Sequence, residues 1–373
     1  MSMPVAPSPA DLATRGVALI SQLQDESGAY PASPTFSAYQ GYCWFRDGAF
    51  IADGMSAAGE VDSASAFFDW CARILEKREE QIARIVEAAG EGTPVSDAEM
   101  LPTRFTFAGE EGNDAWWDFQ LDGYGTWLWA VVAHAERHNL SLEPWKRAME
   151  LTSAYLIASW RRPCFDWWEE SISEVHGSTL GCIAGGLIAV VEAGVLIDDE
   201  PAIQAVSDIR ELLLDRGLTD GHLAKWLGSK EVDGSLSSVI YPLGVFPASS
   251  EVGKATISAI ESQLTFGNGV HRYLDDTFFG GGQWPLLSCM LGLAHSSAGN
   301  KERARELLEW AASTVTANGD MPEQVTEHLL DPSMTQEWID RWGTAATPLL
   351  WSHAMFIRLA VELGILNPAK ESK

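Results

Sequence analysis

Phe165-Asp166-Trp167-Trp168-Glu169-Glu170 leads, through a short polar stretch, into residues 178–193, where apolar side chains recur at helical spacing. A connection crowded with acids and indoles, feeding a strongly apolar helix, is the unit on which the fold reading rests. It recurs: residues 39–47, 115–122, 271–284 and 318–342 have the same character, and each precedes another helix-period segment. The spacing predicts helices over 9–24, 48–59, 62–89, 123–139, 142–160, 178–193, 201–216, 236–245, 250–264, 285–298, 301–317 and 347–363. Ala58-Gly59 and Ala298-Gly299 read as helix stops, and Asp62, Ser178 and Asn300 as caps for the helices that follow. Only residues 221–226 look strand-like. If consecutive helices run up and down, the acid-rich connections all emerge at one end of the molecule. A closed ring of paired helices, all-α, satisfies this with about twelve helices. No Pro/Gly-rich or charged spacer divides the chain, so residues 1–373 are expected to form a single domain.

The bulk numbers exclude several classes of function. With 52 Asp+Glu against 25 Lys+Arg the formal charge is -27, which repels nucleic-acid phosphates and anionic lipid surfaces. No apolar run reaches the ~18 residues needed to span a bilayer. The first ten residues have neither the basic start nor the apolar core of an export signal, so a cytoplasmic location is expected. Five scattered cysteines, at 43, 71, 164, 182 and 289, suggest no disulfide framework, and the eight histidines show no zinc-binding spacing. Gly280-Gly281-Gly282 precedes an aromatic position, not a lysine, and no nucleotide-binding glycine motif follows a strand. Neither a metal nor a cofactor is expected.

The chemistry is carried by carboxyls placed beside indoles. An aromatic wall withholds water from a carboxyl and raises its pKa, so Glu169 is a candidate proton donor near neutral pH. Asp320-Met321-Pro322-Glu323-Gln324 supplies a second carboxyl in another connection at the same end, and the two together suit a general acid and a general base for glycoside hydrolysis. Tyr42-Cys43-Trp44-Phe45-Arg46-Asp47 sets a donor and an acceptor side by side at a helix start, and Arg272-Tyr273-Leu274-Asp275-Asp276 with Trp284 repeats that composition late in the chain, its acids placed to bond sugar hydroxyls or to orient Arg272. Sugar hydroxyls are held by such ionic pairs, and indole faces stack on the ring. Trp116-Trp117, Gln120 and Asp122 precede a Gly-Tyr-Gly helix opening, whereas Trp127 and Trp129 fall within the helix and read as core.

Taken in order, these segments resemble the glucoamylase and glucodextranase family of inverting glycoside hydrolases, family fifteen. The matching elements are aromatic-Arg-Asp (Tyr42, Trp44, Arg46, Asp47), Gln-x-Asp-Gly (Gln120, Asp122), Trp-Glu-Glu (Trp168, Glu169, Glu170), Arg-Tyr-x-x-Asp with a later Trp (Arg272, Asp276, Trp284), Pro-Glu-Gln (Glu323) and Trp-Ser-His (Trp351). The resemblance implies an (α/α)6 barrel, a six-hairpin toroid. It makes Glu169 the general acid and Glu323 the general base, with their carboxyls ~6.5–9.5 Å apart to admit the attacking water. Glu170 becomes a substrate contact, Arg46, Asp47 and Arg272 grip the innermost glucose, and Trp117 and Trp284 form pocket wall.

Many bacterial members carry an N-terminal β-sandwich, whereas the first helix here is expected from residue 9. With no starch-binding module or export signal in view, the expected substrate is isomaltose or another short α-1,6-linked gluco-oligosaccharide, attacked at its non-reducing end to release β-glucose. An intracellular α-1,4 glucoamylase or a trehalase-like hydrolase is the alternative on the same framework. A sugar epimerase would need His176 and His353 as proton carriers, and a carbohydrate-binding protein would need no turnover at all.

Overall fold

The computed structural model describes residues 7–116 and 119–368. Among them fourteen α-helices dominate: α1 (Pro9–Leu23), α2 (Phe45–Ala58), α3 (Val61–Lys77), α4 (Glu79–Gly90), α5 (Asp122–His138), α6 (Lys146–Ser159), α7 (Gly177–Glu192), α8 (Glu200–Arg216), α9 (Ser237–Ile240), α10 (Glu251–Ala259), α11 (Pro285–Ser297), α12 (Lys301–Ser313), α13 (Thr335–Trp342) and α14 (Leu350–Glu362). Three two-stranded antiparallel ladders complete the regular structure. In the first, β1 (Tyr42–Trp44) pairs with β2 (Arg104–Thr106) in the register Tyr42↔Thr106, and β1 runs straight into α2.

Six helices form a closed inner ring in the order α2, α5, α7, α9, α11, α14 and back to α2. Each carries an outer partner: α3 on α2, α6 on α5, α8 on α7, α10 on α9, α12 on α11 and α1 on α14. This is the (α/α)6 barrel, with α4 and α13 added to it. Burial separates the two rings: α2 and α9 are buried at every residue, and α11 at all but its last, whereas α8 and α12 bury single stripes. A helix apolar on all sides has to sit inside; one with a single apolar stripe covers it.

Alternation of inner and outer helices makes the inner six parallel. Their N-termini therefore point to one end, where the aromatic and acidic connections emerge as the sequence predicts. At the opposite end Asp53 of α2 is buried between two arginines: Arg137 of α5 donates to its Oδ1 at 2.6 Å and Arg358 of α14 to its Oδ2 at 3.1 Å. Both cations hold the Asp53 carboxyl below its ordinary pKa against the opposing effect of burial.

The sequence-based boundaries hold with four physical corrections. The segment 62–89 is two helices, because the chain breaks at Arg78 to bury that side chain, which donates to Ile74 O at 3.2 Å and Gly109 O at 3.1 Å. The helix expected over 236–245 is reduced to four residues ahead of Pro242, whose preceding residue avoids helical geometry. Residues 250–264 end in a π turn, Ile260–Leu264. Finally α13 lies within a stretch expected to be a connection. It is eight residues long with no buried residue, so its short apolar face does not stand out from the connection around it. Of the expected caps, Asn300 accepts from Arg303 N–H at 3.3 Å, whereas α3 and α7 start one residue before Asp62 and Ser178. The strand-like residues 221–226 contribute only β4 (His222–Leu223), paired with β3 (Leu218–Thr219).

Close approach of the inner helices depends on glycine where α5 meets α7. A Cβ on Gly125 would lie 2.3 Å from Cys182 O, and one on Gly186 would lie 2.3 Å from Gly125 O. Gly125→Ala is expected to push the two helices apart and cost about 2 kcal/mol of unfolding free energy. Gly90→Ala, at the open end of α4, should cost nothing. Denaturant unfolding of both variants checks this, and a neutral Gly125→Ala would contradict the tight ring.

Candidate active site

A cavity of about 250 Å³ opens at the N-terminal end of the inner ring. Its floor is set by α2. Strand β1 delivers Trp44, and the first turn of α2 then presents Arg46 and Asp47, both buried. The Arg46 guanidinium donates from one terminal nitrogen to Gln120 Oε1 at 2.7 Å and Asp122 Oδ2 at 3.0 Å, both at the start of α5. Its Nε lies 3.4 Å from Asp47 Oδ2, its other terminal nitrogen 4.0 Å from Glu169 Oε1, and its carbon 5.6 Å from the Trp351 ring centroid. Arg46 Nε and Asp47 Oδ2 are buried without a hydrogen-bond partner. A donor and an acceptor side by side are what a sugar hydroxyl, which both donates and accepts, satisfies.

Glu169 sits on the connection between α6 and α7, in a left-handed conformation at φ 64°. Asp166 builds that turn: its Oδ1 accepts the Trp168 and Glu170 N–H groups at 2.9 Å each, and its carbonyl accepts from Glu169 N–H at 3.0 Å. The Glu169 carboxyl turns back into the cavity, where Trp44 Nε1 donates to its Oε1 at 2.6 Å. Burial pushes its pKa up to about 7, against the opposing pull of the Arg46 cation.

Glu323 lies on the connection before α14, its N–H bonded to Ala346 O at 2.8 Å. Tyr39 donates its hydroxyl to Glu323 Oε1 at 2.9 Å. Oε2 is buried with no partner, which leaves one lone-pair face open for a water. Burial likewise pushes this carboxyl up to about 7, with the Tyr39 bond opposing, and Asp47 is pushed up to about 6 for the same reason.

The remaining candidates divide into wall and support. Trp44, Arg46, Asp47, Trp168, Glu169, Glu170, Arg272, Trp284, Glu323 and Trp351 line the cavity. Gln120 and Asp122 do not; they are fully buried behind Arg46, and their part is to hold it. Asp276 similarly clamps Arg272 with both oxygens, donor to acceptor, instead of facing the cavity. Tyr42 lies outside the lining, its ring 3.8 Å from the Arg104 guanidinium. Trp117 falls outside the described residues, while its neighbour Trp116 does line the cavity. Trp127 and Trp129 are core, as expected.

Glu170 is held by Arg272 at 3.3 Å and by the Tyr273 hydroxyl, and Arg272 itself lies between Trp168 and Trp284, 5.1 and 5.5 Å from their centroids. Asp233 accepts from Trp168 Nε1 at 2.9 Å and fixes that indole. Sequence reasoning assigned no role to Tyr39, Asp166, Tyr273 or Asp233. The first three lie in segments singled out for their composition, but Asp233 precedes the short α9 in a stretch of small polar residues that carries no such signal. His176 is bonded to the Cys164 and Ser171 carbonyls and His353 accepts from Met321 N–H at 2.9 Å; neither lines the cavity, so an epimerase loses its proton carriers.

Comparison with known proteins agrees with this geometry. The model of glycosyl hydrolases family 15 matches residues 11–361. The chain is 49% identical to the isomaltose glucohydrolase of Kribbella flavida over 362 residues, covering 96% of this chain and 94% of that one. It is 24% identical to trehalase 2 of Sulfolobus acidocaldarius over 312 residues, or 53% of that protein. A glycosidase variant solved in complex with glucose superposes with a TM-score of 0.94 at 49% identity, over 96% of this chain and 98% of that one. The Saccharomycopsis fibuligera glucoamylase shares the fold at a TM-score of 0.71 and 14% identity, with 97% of each chain covered. Fold, cavity and sequence together lead to one conclusion: the chain belongs to glycosyl hydrolases family 15 and is a glycoside hydrolase.

Proposed function

We propose that the protein is an inverting, exo-acting glucohydrolase that releases β-glucose from the non-reducing end of isomaltose or short α-1,6-linked gluco-oligosaccharides, with residues 1–373 acting as one catalytic unit. Glu169 is the general acid and Glu323 the general base. The observation that carries this reading is a pair of desolvated carboxyls in one cavity, each receiving a hydrogen bond from an aromatic side chain, with one oxygen of Glu323 left unpaired. The similarity to an isomaltose glucohydrolase supports the choice of substrate.

Bound glucose lies on the floor, its hydroxyls meeting Arg46 Nε and Asp47 Oδ2. Glu169 gives its proton to the glycosidic oxygen as the C1–O bond breaks, and water on the opposite face of the ring bonds to C1 while Glu323 takes its proton. A hydrogen bond from that water to the open Oε2 favours the charged form of Glu323, which is the form a base needs. Solvent then returns the two carboxyls to their starting states. Trp168, Trp284 and Trp351 keep other water out and strengthen each electrostatic contact. A cytoplasmic setting is part of the proposal, supported by five buried cysteines in free-thiol form; no helix among the described residues is long and apolar enough to cross a membrane.

Initial rates on isomaltose, maltose and trehalose test the linkage. Isomaltose is expected to be cleaved fastest; faster cleavage of maltose or trehalose would replace the α-1,6 reading. Glu169→Gln and Glu323→Gln should each lower kcat on isomaltose by about 10²–10⁴-fold while calorimetric binding of glucose stays within a few-fold. A protein that only binds sugar would have no turnover to lose.

The pH profile reports the Trp44 donor. Its hydrogen bond favours ionised Glu169, so Trp44→Phe raises the pKa of the acid above about 7 and keeps it protonated to higher pH. The alkaline limb of kcat/KM should therefore move up by about one pH unit. A shift downward, or none, would mean that Glu169 does not control that limb.

A further inference from the structure

The cavity has a floor and a mouth that differ in exposure. Arg46, Glu323, Trp284 and Trp351 are buried, whereas the lining residues from α13 are half-buried or open to solvent. Helix α13 bridges two sides of the mouth: Trp342 lies 6.1 Å from Phe36, ahead of α2, and Trp338 lies 4.9 Å from Phe278, ahead of α11. Thr335, Trp338, Ile339 and Trp342 fall on one face at helical spacing. Beside that face Arg341 reaches back over both indoles, its guanidinium carbon 5.5 Å from the Trp338 centroid and 5.2 Å from that of Trp342.

Three arginines line the cavity, and two of them are committed. Arg46 is taken up by Gln120 and Asp122, and Arg272 by Asp276 and Glu170. Arg341 makes no hydrogen bond or ion pair among the described residues. Its approach to the two indoles does not use its N–H groups. The result is a donor fork at the mouth of a cavity whose other charged side chains are four carboxyls and the two committed arginines.

We propose that Arg341 binds the leaving sugar and that α13 caps the cavity against longer chains. This rests on the hydrolase reading above. With glucose on the floor and the glycosidic oxygen at Glu169, the second sugar unit has to extend toward the mouth, where α13 is the surface it meets. There the Arg341 N–H groups donate to its hydroxyl oxygens while Trp338 and Trp342 present faces for its ring.

The test compares isomaltose with α-glucosyl fluoride, which fills the glucose site and carries no second sugar. Arg341→Ala should lower the ratio of kcat/KM for isomaltose over the fluoride by about tenfold or more, chiefly through KM for isomaltose, and Arg341→Lys should recover part of it. Trp342→Ala should raise kcat/KM for isomaltotriose relative to isomaltose. An unchanged isomaltose-to-fluoride ratio in Arg341→Ala, whether both rates hold or both fall together, overturns the binding role. An unchanged trisaccharide preference in Trp342→Ala overturns the cap. If the wild type hydrolyses the fluoride but not isomaltose, the proposed substrate is wrong and Arg341 loses its assigned ligand with it.

Discussion

The Arg46 guanidinium is the contact on which the site depends. One buried side chain at the start of α2 meets Gln120 and Asp122 at the start of α5, approaches Glu169 on the connection into α7, and lies against Trp351 of α14. Four of the six inner elements are thereby brought to a common point. A lone buried cation would be costly, and removing one partner of such a cluster typically costs several kcal/mol. The cluster tolerates burial because two acceptors take one nitrogen and two further carboxylates stand near the others. The ring supplies the geometry, since parallel inner helices place all their first turns at the same end.

Around that cation the cavity separates charge from water. Asp47, Glu169 and Glu323 are all pushed upward by burial, and each is opposed by a specific partner: Arg46 for the first two, the Tyr39 hydroxyl for the third. These partners keep the carboxyls near the point where a proton can be given or taken at neutral pH, instead of leaving them permanently neutral. Support lies one layer behind. Asp276 fixes Arg272, Asp233 fixes Trp168, and Asp166 holds the strained turn that aims Glu169. None of the three lines the cavity, yet each determines where a lining group stands.

Much of this could be read in the sequence because the pattern of connections is periodic. Acid-and-aromatic stretches between alternate helices mark one end of the barrel, and the carboxyls of Glu169 and Glu323 both face the cavity there. Spacing does not say which way a side chain points. Gln120 and Asp122 adjoin the right helix start, but both turn to Arg46 instead of the cavity, and of the two roles open to Asp276 the structure has the orientation of Arg272. Tyr42 belongs to the same segment as Arg46, yet its ring packs against Arg104 outside the lining. Asp233 was missed because the inner helix it precedes is only four residues long, and α13 because a helix lying over a cavity needs no buried stripe.

The central claim is that two carboxyls work on opposite faces of one sugar ring. The most direct measurement is the anomeric configuration of the glucose first released from isomaltose, followed by proton NMR before mutarotation. β-Glucose is expected if Glu323 activates water across the ring from Glu169. α-Glucose as the first product would contradict it, because retention requires a covalent glycosyl-enzyme and carboxyls only ~5 Å apart.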